Sequence, residues 1–220
     1  MPVQVALSQT DSLTGLPGYN AFLTDLEASM EAAKPSGRSV SIALVDIDEF
    51  GKLNAASGRA AGDQAIRALA VALLDSVGDS ATVYRYGGDA FMILFEGIEK
   101  EQAFLRMEEA RASFYGEHVV KVGDTSLKLN LSLSVGVAAL PDDGAKAPDL
   151  IRKCSEALYR AKVSGRNKVS LAREKKMVTK TSHYTQGQLE GLSRLAKREG
   201  LNEATLLREA LDDVLRKHNS

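Results

Sequence analysis

Two aspartates, Asp46 and Asp48, stand two apart at the end of the apolar run Val40-Ser41-Ile42-Ala43-Leu44-Val45. If the run is a strand, alternation puts both side chains on one side of it. Carboxylates at the carboxyl end of a buried strand suit a metal–phosphate site, and they also suit helix capping and loop hydrogen bonds. A further carboxylate, Asp89, follows Gly87-Gly88, a pair that lets backbone approach a ligand closely or simply makes a tight turn. Asn54 and Asp63 flank Gly58 and Gly62. An amide and a carboxylate can pair with a guanine edge, which offers acceptors and N–H donors together, or they can serve as caps. Lys162 and Arg166 are four apart at a helix end, so they share a face that can meet phosphates or complement the helix dipole.

The elements that must position these groups follow from hydrophobic period. Helices are expected over about 18–34, 58–78, 99–115 and 148–164. Phe22, Leu23, Leu26 and Met30 mark the first, and Ile66, Leu69, Ala70, Leu73, Leu74 and Val77 the second. Val40 to Val45 reads as a buried strand. Val83 to Tyr86 and Phe91 to Phe95 read as a hairpin on the glycine turn, with further strands at Val119–Val122, Leu127–Leu140 and Val169–Leu171. The mixture predicts an α/β (α+β) domain, one sheet with covering helices, over residues 1–171. A charged linker, 172–176, leads to a separate unit at 177–220. That unit holds a short polar β-tolerant stretch, Met177 to Tyr184, and two amphipathic helices, about 186–199 and from Asn202 onward, with Gly200 between them.

Composition bounds the function. With 44% hydrophobic and 26% charged residues in 220, the chain has an ordinary globular make-up. Its one cysteine, Cys154, excludes an intrachain disulfide and agrees with a reducing cytoplasm. No apolar run approaches the ~20 residues of a membrane span, and Met1 to Gln9 does not read as a signal peptide. Three histidines and one cysteine do not readily build a zinc site. The absence of tryptophan and a 5% aromatic content argue against stacking platforms for single-stranded nucleic acid. From Ala172 onward there are 10 basic against 7 acidic residues, so the tail is positive while the body is negative.

Taken together and in order, the motifs become specific. They are Asp11-Ser12-Leu13-Thr14-Gly15-Leu16-Pro17, Val45-Asp46-Ile47-Asp48-Glu49-Phe50, Asn54, Gly58, Gly62-Asp63, Tyr84-Arg85-Tyr86-Gly87-Gly88-Asp89-Ala90-Phe91, Ser134-Val135-Gly136-Val137-Ala138, Ala157 to Lys162, and Gly165-Arg166-Asn167. Over residues ~10–171 this series resembles the GGDEF, or diguanylate cyclase, family. The resemblance implies a palm-like fold with a central five-stranded, mostly antiparallel sheet. It implies two GTP molecules, one per domain, joined with Mg²⁺ into cyclic di-GMP. By family position Asp46, the Ile47 carbonyl and Asp89 would hold Mg²⁺, and Asp89 would be the base candidate. Asn54 and Asp63 would read guanine, Gly87 and Gly88 would lie against the nucleotide, and Lys162 and Arg166 would face the phosphates. The resemblance begins almost at the N-terminus, so no sensory domain is expected ahead of it.

The departures point to impaired catalysis. The family's Gly-Gly-Asp-Glu-Phe is Gly87-Gly88-Asp89-Ala90-Phe91 here. Gly51 stands where a basic residue is usual, beside Lys52. Gly18-Tyr19 replaces the usual Asn-Arg, and Arg59 replaces a histidine. Gly78 and Ala81 replace the Arg and Asp of the product-inhibition motif. The tail, 177–217, resembles a ribbon–helix–helix unit, which implies a two-fold dimer and a strand ribbon able to enter DNA. Lys176, Thr179, Lys180, Thr181 and His183 are its DNA-facing candidates. The expected protein is a guanine-nucleotide-binding regulator with little or no cyclase activity. An active diguanylate cyclase, or a DNA-binding scaffold with a purely structural GGDEF fold, is the alternative.

Overall fold

A computed structural model of the chain describes residues 10–172, 182–200 and 202–218. It falls into two compact units, Met1–Lys175 and Lys176–Ser220. In chain order the first unit contains α1 (Tyr19–Ala33), β1 (Val40–Ile47), α2 (Phe50–Ser57), α3 (Arg59–Val77), β2 (Ala81–Gly87), β3 (Ala90–Glu96), α4 (Lys100–Phe114), β4 (Gly116–Val122), β5 (Thr125–Leu131), β6 (Leu133–Leu140), α5 (Ala147–Val163) and β7 (Val169–Leu171). The second unit contains α6 (Gln186–Glu199) and α7 (Glu203–His218).

The five-stranded sheet has the order β2-β3-β1-β6-β7. Every pairing is antiparallel except β6 with β7. The apolar run of β1 makes it the central strand, and its alternation serves two cores. Ala43, Val45 and Ile47 face the layer of α3 and α4, whereas Val40, Ile42 and Leu44 face α1 and α5. β3 divides the same way, with Phe91, Ile93 and Phe95 on one face and Ala90, Met92 and Leu94 on the other. Tyr84 anchors α1 through a 2.7 Å hydrogen bond from its hydroxyl to Asp25. β4 and β5 form a separate hairpin whose Val120, Leu129 and Leu131 join the α3/α4 core.

At both edges of the large sheet, outward backbone groups are taken by non-strand groups. On β7 the Val169 N–H donates to Glu108 of α4 at 3.0 Å, and the Leu171 carbonyl accepts from Arg160 of α5 at 2.9 Å. On β2 the Arg85 N–H donates to the Pro17 carbonyl at 2.8 Å, in the segment that leads into α1.

Three local expectations change. The expected long strand Leu127–Leu140 is two strands, because Ser132 leaves the ladder and its carbonyl accepts from the Asp48 N–H at 2.9 Å. Helix α2 was not foreseen: it is short, contains Gly51, and opens from a left-handed Glu49 (φ 56°) rather than from a capping side chain. The first unit also runs past Leu171, since Ala172 is buried and donates to Val137 at 2.6 Å.

In the second unit, α6 opens with a reciprocal capping box between Thr185 and Gln188. Gly200 closes it, donating to the Ala196 carbonyl. Ala196 is the buried residue of this unit among those described, while Leu189, Leu211, Val214 and Leu215 are about half exposed. Of the expected strand Met177–Tyr184, residues 177–181 lie outside the described residues, and Ser182 to Tyr184 have no regular structure.

Candidate functional site

The acidic side of the site is made where β1 ends beside the start of β3. Asp46 pairs in register with Ala90, so residue 90 is the cross-strand neighbour of Asp46 on the face covered by α1 and α5. The turn Gly87-Gly88 has φ 140° and 58°, values that favour glycine, and it brings Asp89 to the end of β1. There the Ile47 N–H donates to the Asp89 carbonyl at 3.4 Å. Lys162 of α5 reaches Asp46, with Nζ 2.6 Å from Oδ1, as an ion pair without the alignment of a hydrogen bond. Burial pushes the Asp46 carboxyl above its usual range. Lys162 opposes that shift, and the charges of Asp89 and Asp48 add to it. Asp46, Ile47, Asp89 and Lys162 therefore lie close together at this end of the sheet.

Asp48 does not join them as a free ligand. Its Oδ1 accepts from Ser134 Oγ at 2.6 Å, and its Oδ2 accepts from Ser132 Oγ at 2.8 Å and from the Asn167 N–H at 2.9 Å. Strand alternation stops at Ile47, so Asp46 and Asp48 have different surroundings. With its oxygens engaged by protein donors, Asp48 ties the end of β1 to β6 and to the loop after α5.

The guanine-reading candidates lie on α2 and α3. Asn54 rests against the first turn of α3, where Gly62 makes room for it. A Cβ at residue 62 would stand 2.0 Å from Asn54 Oδ1. That oxygen is buried and accepts no hydrogen bond. Asp63 is exposed on the next residue. Arg85 connects this side to the acidic one. It is only 8% exposed, lies 4.9 Å from the centre of the Phe91 ring, and donates to the Gly88 carbonyl. Burial lowers its pKa, and the fields of Asp11, Asp89 and Asp63 counter that. Its Nη1 is buried without a partner. Sequence reading missed Arg85 as a site residue. The signal was there: it has the same strand parity as the core residue Val83, so it is a charge aimed at an apolar layer.

Of the two basic candidates for phosphate, Arg166 is exposed in a left-handed conformation, φ 60°, one turn beyond Lys162. Gly51 is exposed and open, with nothing within 4 Å of a built Cβ. Lys52 does not substitute for a base at 51, because it pairs with Glu49 at 2.7 Å.

Three of the four buried side-chain polar atoms without a hydrogen-bond partner among the described residues belong to this site: Asp46 Oδ1, Asn54 Oδ1 and Arg85 Nη1. No three His, Cys, Asp or Glu side chains among the described residues are grouped to hold a metal by themselves. Two carboxylates and a carbonyl, all hard oxygen donors, nevertheless fit Mg²⁺ of the kind that completes its shell with substrate phosphates. Of the DNA-facing candidates, Lys176, Thr179, Lys180 and Thr181 lie outside the described residues, and His183 is exposed in irregular backbone.

This sheet order, with carboxylates at the β1 end facing a glycine turn, defines a GGDEF-type cyclase fold. The GGDEF domain of DgcB from Caulobacter crescentus, solved in complex with c-di-GMP, superposes with a TM-score of 0.69 at 28% identity, covering 76% of this chain and 94% of that one. The FimX GGDEF domain from Pseudomonas aeruginosa gives 0.68 at 25% identity, covering 74% and 99%. The chain belongs to the family "Diguanylate cyclase, GGDEF domain", whose family model matches residues 8–168. Response regulator PleD of Caulobacter vibrioides is 32% identical over 163 residues, 74% of this chain and 36% of PleD. Diguanylate cyclase A of Treponema denticola is 29% identical over 170 residues, 76% of this chain and 45% of that protein. The chain thus spans less than half the length of these relatives.

Proposed function

We propose that the chain is a guanine-nucleotide-binding GGDEF regulator that has lost most or all cyclase activity and acts through its C-terminal unit. The observation that carries this is two buried polar atoms, Asn54 Oδ1 and Arg85 Nη1, that no protein group completes by hydrogen bonding, together with the buried Asp46 carboxylate held in an ion pair with Lys162. Buried polar atoms are nearly always paired, so two orphans, one of them on Arg85 beside the Gly88 carbonyl, favour a ligand there. Asn54 and Asp63 supply acceptors for guanine N–H groups, and Lys162 and Arg166 supply charge for phosphates. Asp46, the Ile47 carbonyl and Asp89 would hold Mg²⁺ with the nucleotide, and the bound ion would supply charge neutralisation at the phosphates. Ala90, buried opposite Asp46, removes a carboxylate from that place. Incubating the purified protein with GTP and Mg²⁺, then identifying nucleotides bound and formed, tests the reading. Retained GTP without cyclic di-GMP supports it, and turnover equal to that of an intact relative overturns it.

The second reading, an active diguanylate cyclase with Asp89 as base, is favoured by Asp46 and Asp89 both standing where the end of β1 adjoins the start of β3. The same incubation separates the two.

The C-terminal unit we read as a ribbon–helix–helix-like dimeriser. Leu189 on α6 and Leu211, Val214 and Leu215 on α7 leave apolar surface that two short helices do not bury against each other. A two-fold mate of this unit covers such a face in one isologous interface, and binding of DNA by the basic segment before α6 is the secondary role. A chain ending at Ala172 is then monomeric in solution scattering while the full chain is dimeric. A monomeric full chain removes the unit's assigned role.

A further inference from the structure

Helix α5 lies close on β6. A Cβ at Gly136 would run into the Cys154 carbonyl and the Leu158 amide of α5, so a glycine there lets the helix settle on the strand. Gly136 pairs in register with Leu44 of β1, and the next pair on the same face is Ser134 with Asp46. Lys162 stands one turn beyond Leu158, in the last turn of α5. The close packing therefore delivers the lysine to the end of β1, where its ammonium is 2.6 Å from Asp46 Oδ1. The Lys162 side chain is 34% exposed and that of Asp46 only 15%, so the carboxylate is the sheltered member of the pair.

The strands on either side offer Asp46 little else. Its register partner on β3 is Ala90, whose side chain has no polar atom. Its register partner on β6 is Ser134, whose hydroxyl is donated to Asp48 at 2.6 Å. Asp48 takes two more donors, Ser132 Oγ and the Asn167 N–H. One aspartate of the pair is thus satisfied by neutral donors and the other by a cation. A sheltered carboxylate needs such a partner. An oxygen that already faces an ammonium is a poor ligand for a divalent ion, because two cations at that range repel each other.

We propose that Lys162 is the built-in counter-ion of Asp46 and competes there with a divalent cation, closing the site to the metal alone. The inference rests on the metal reading above and adds what guards that site. A lysine suits the task, because its charge rides on a flexible four-carbon stem that can hold the carboxylate and can also withdraw from it. Asp46 is then never left as a sheltered charge without a partner. The cation affinity of the chain is set by how firmly the lysine is held as well as by the oxygens that would bind the ion.

Calorimetric titration of the full chain with Mn²⁺, without nucleotide, tests this, since Mn²⁺ takes the same carboxylate and carbonyl oxygens as Mg²⁺. Lys162→Gln removes the charge at a partly exposed position and keeps a donor there, so the fold is retained. Lys162→Arg keeps the charge. Lys168→Gln removes an equal charge from the loop after α5, and Lys162→Gln combined with Asp46→Asn removes the carboxylate as well. The expected result is Mn²⁺ affinity about tenfold higher in Lys162→Gln, at the parent level in Lys162→Arg and Lys168→Gln, and lost in the double variant. Mn²⁺ should also raise the melting temperature of Lys162→Gln more than that of the parent. Parent-level affinity in Lys162→Gln overturns the counter-ion role, and the metal reading stands if Asp46→Asn abolishes the binding. Equal gains in Lys162→Gln and Lys168→Gln overturn the role too, because any lost positive charge then suffices. So does a gain that survives in the double variant. No Mn²⁺ binding that depends on Asp46 in any of these chains, with GTP or without it, overturns both readings.

Discussion

The asparagine side and the acidic side of the candidate site are built differently. On α2 and α3 the Asn54–Gly62–Asp63 arrangement is whole: the asparagine oxygen lies where only a glycine permits it, unpaired and buried. Between β1 and β3, the cross-strand partner of Asp46 is a methyl group, and the Lys162 ammonium stands 2.6 Å from the aspartate. Base recognition needs a shaped surface, which one substitution elsewhere does not disturb. Phosphoryl transfer needs several charges at once, and each missing charge costs transition-state stabilisation. On the reading proposed above, a chain built in this way would keep a ligand and lose a reaction.

The largest expected effect concerns turnover. Cyclic di-GMP formation from GTP should fall on the order of 10²–10³ below that of a relative with glutamate at the position of Ala90. Ala90→Glu should restore only part of it, because Gly51 still leaves the phosphate side short of a base. The variant also places a carboxylate directly across from Asp46 at a buried position, so like-charge repulsion and lost hydration both destabilise it in the absence of a cation. Mg²⁺ should accordingly raise the melting temperature of Ala90→Glu more than that of the parent. An equal response to Mg²⁺ would place residue 90 outside the metal's reach.

A second test attacks the intact side. Gly62→Ala forces Asn54 off α3, since the new methyl would stand 2.0 Å from its oxygen. The expected cost is about 1–3 kcal/mol of stability, with GTP no longer bound in preference to ATP. Asp63→Ala, at an exposed site, should leave stability alone and reduce the GTP/ATP preference about tenfold. Unchanged preference in both variants would move guanine recognition elsewhere. The smallest effect is expected for Gly51→Lys. Its side chain enters open solvent-facing space, so a gain of a few-fold in GTP affinity that fades with added salt is the expected reading.

Much of the fold is legible in the sequence because its signals are long. The run at β1 has no polar residue after Ser41 until Asp46, and α3 and α5 carry full apolar stripes. What escapes is local. Helix α2 has eight residues and no capping side chain, so neither period nor punctuation announces it. Ser132 breaks one apparent strand into two, while the alternation around it continues unbroken. At the site, residue types and order mark Asp46, Asn54, Asp63 and Asp89, whereas only geometry separates Asp46 from Asp48. Two aspartates of the same strand motif differ because one has donors around it and the other has a cation. Arg85 is legible only after β2 is known to have a core-facing side.

The sheet-edge contacts described above bear on how such a domain behaves when crowded. A strand with bare amides and carbonyls is a template on which a second molecule's strand can grow, and repeated addition leads to fibres. On β7 a glutamate and an arginine from neighbouring helices have taken the outward amide and carbonyl, and on β2 a proline-containing segment, with one amide fewer to offer, lies across the outward amide of Arg85. A second copy's strand would have to displace those groups before it could pair at these points, where association is left to side-chain surfaces, whose complementarity can be selected, rather than to backbone, which pairs with almost anything.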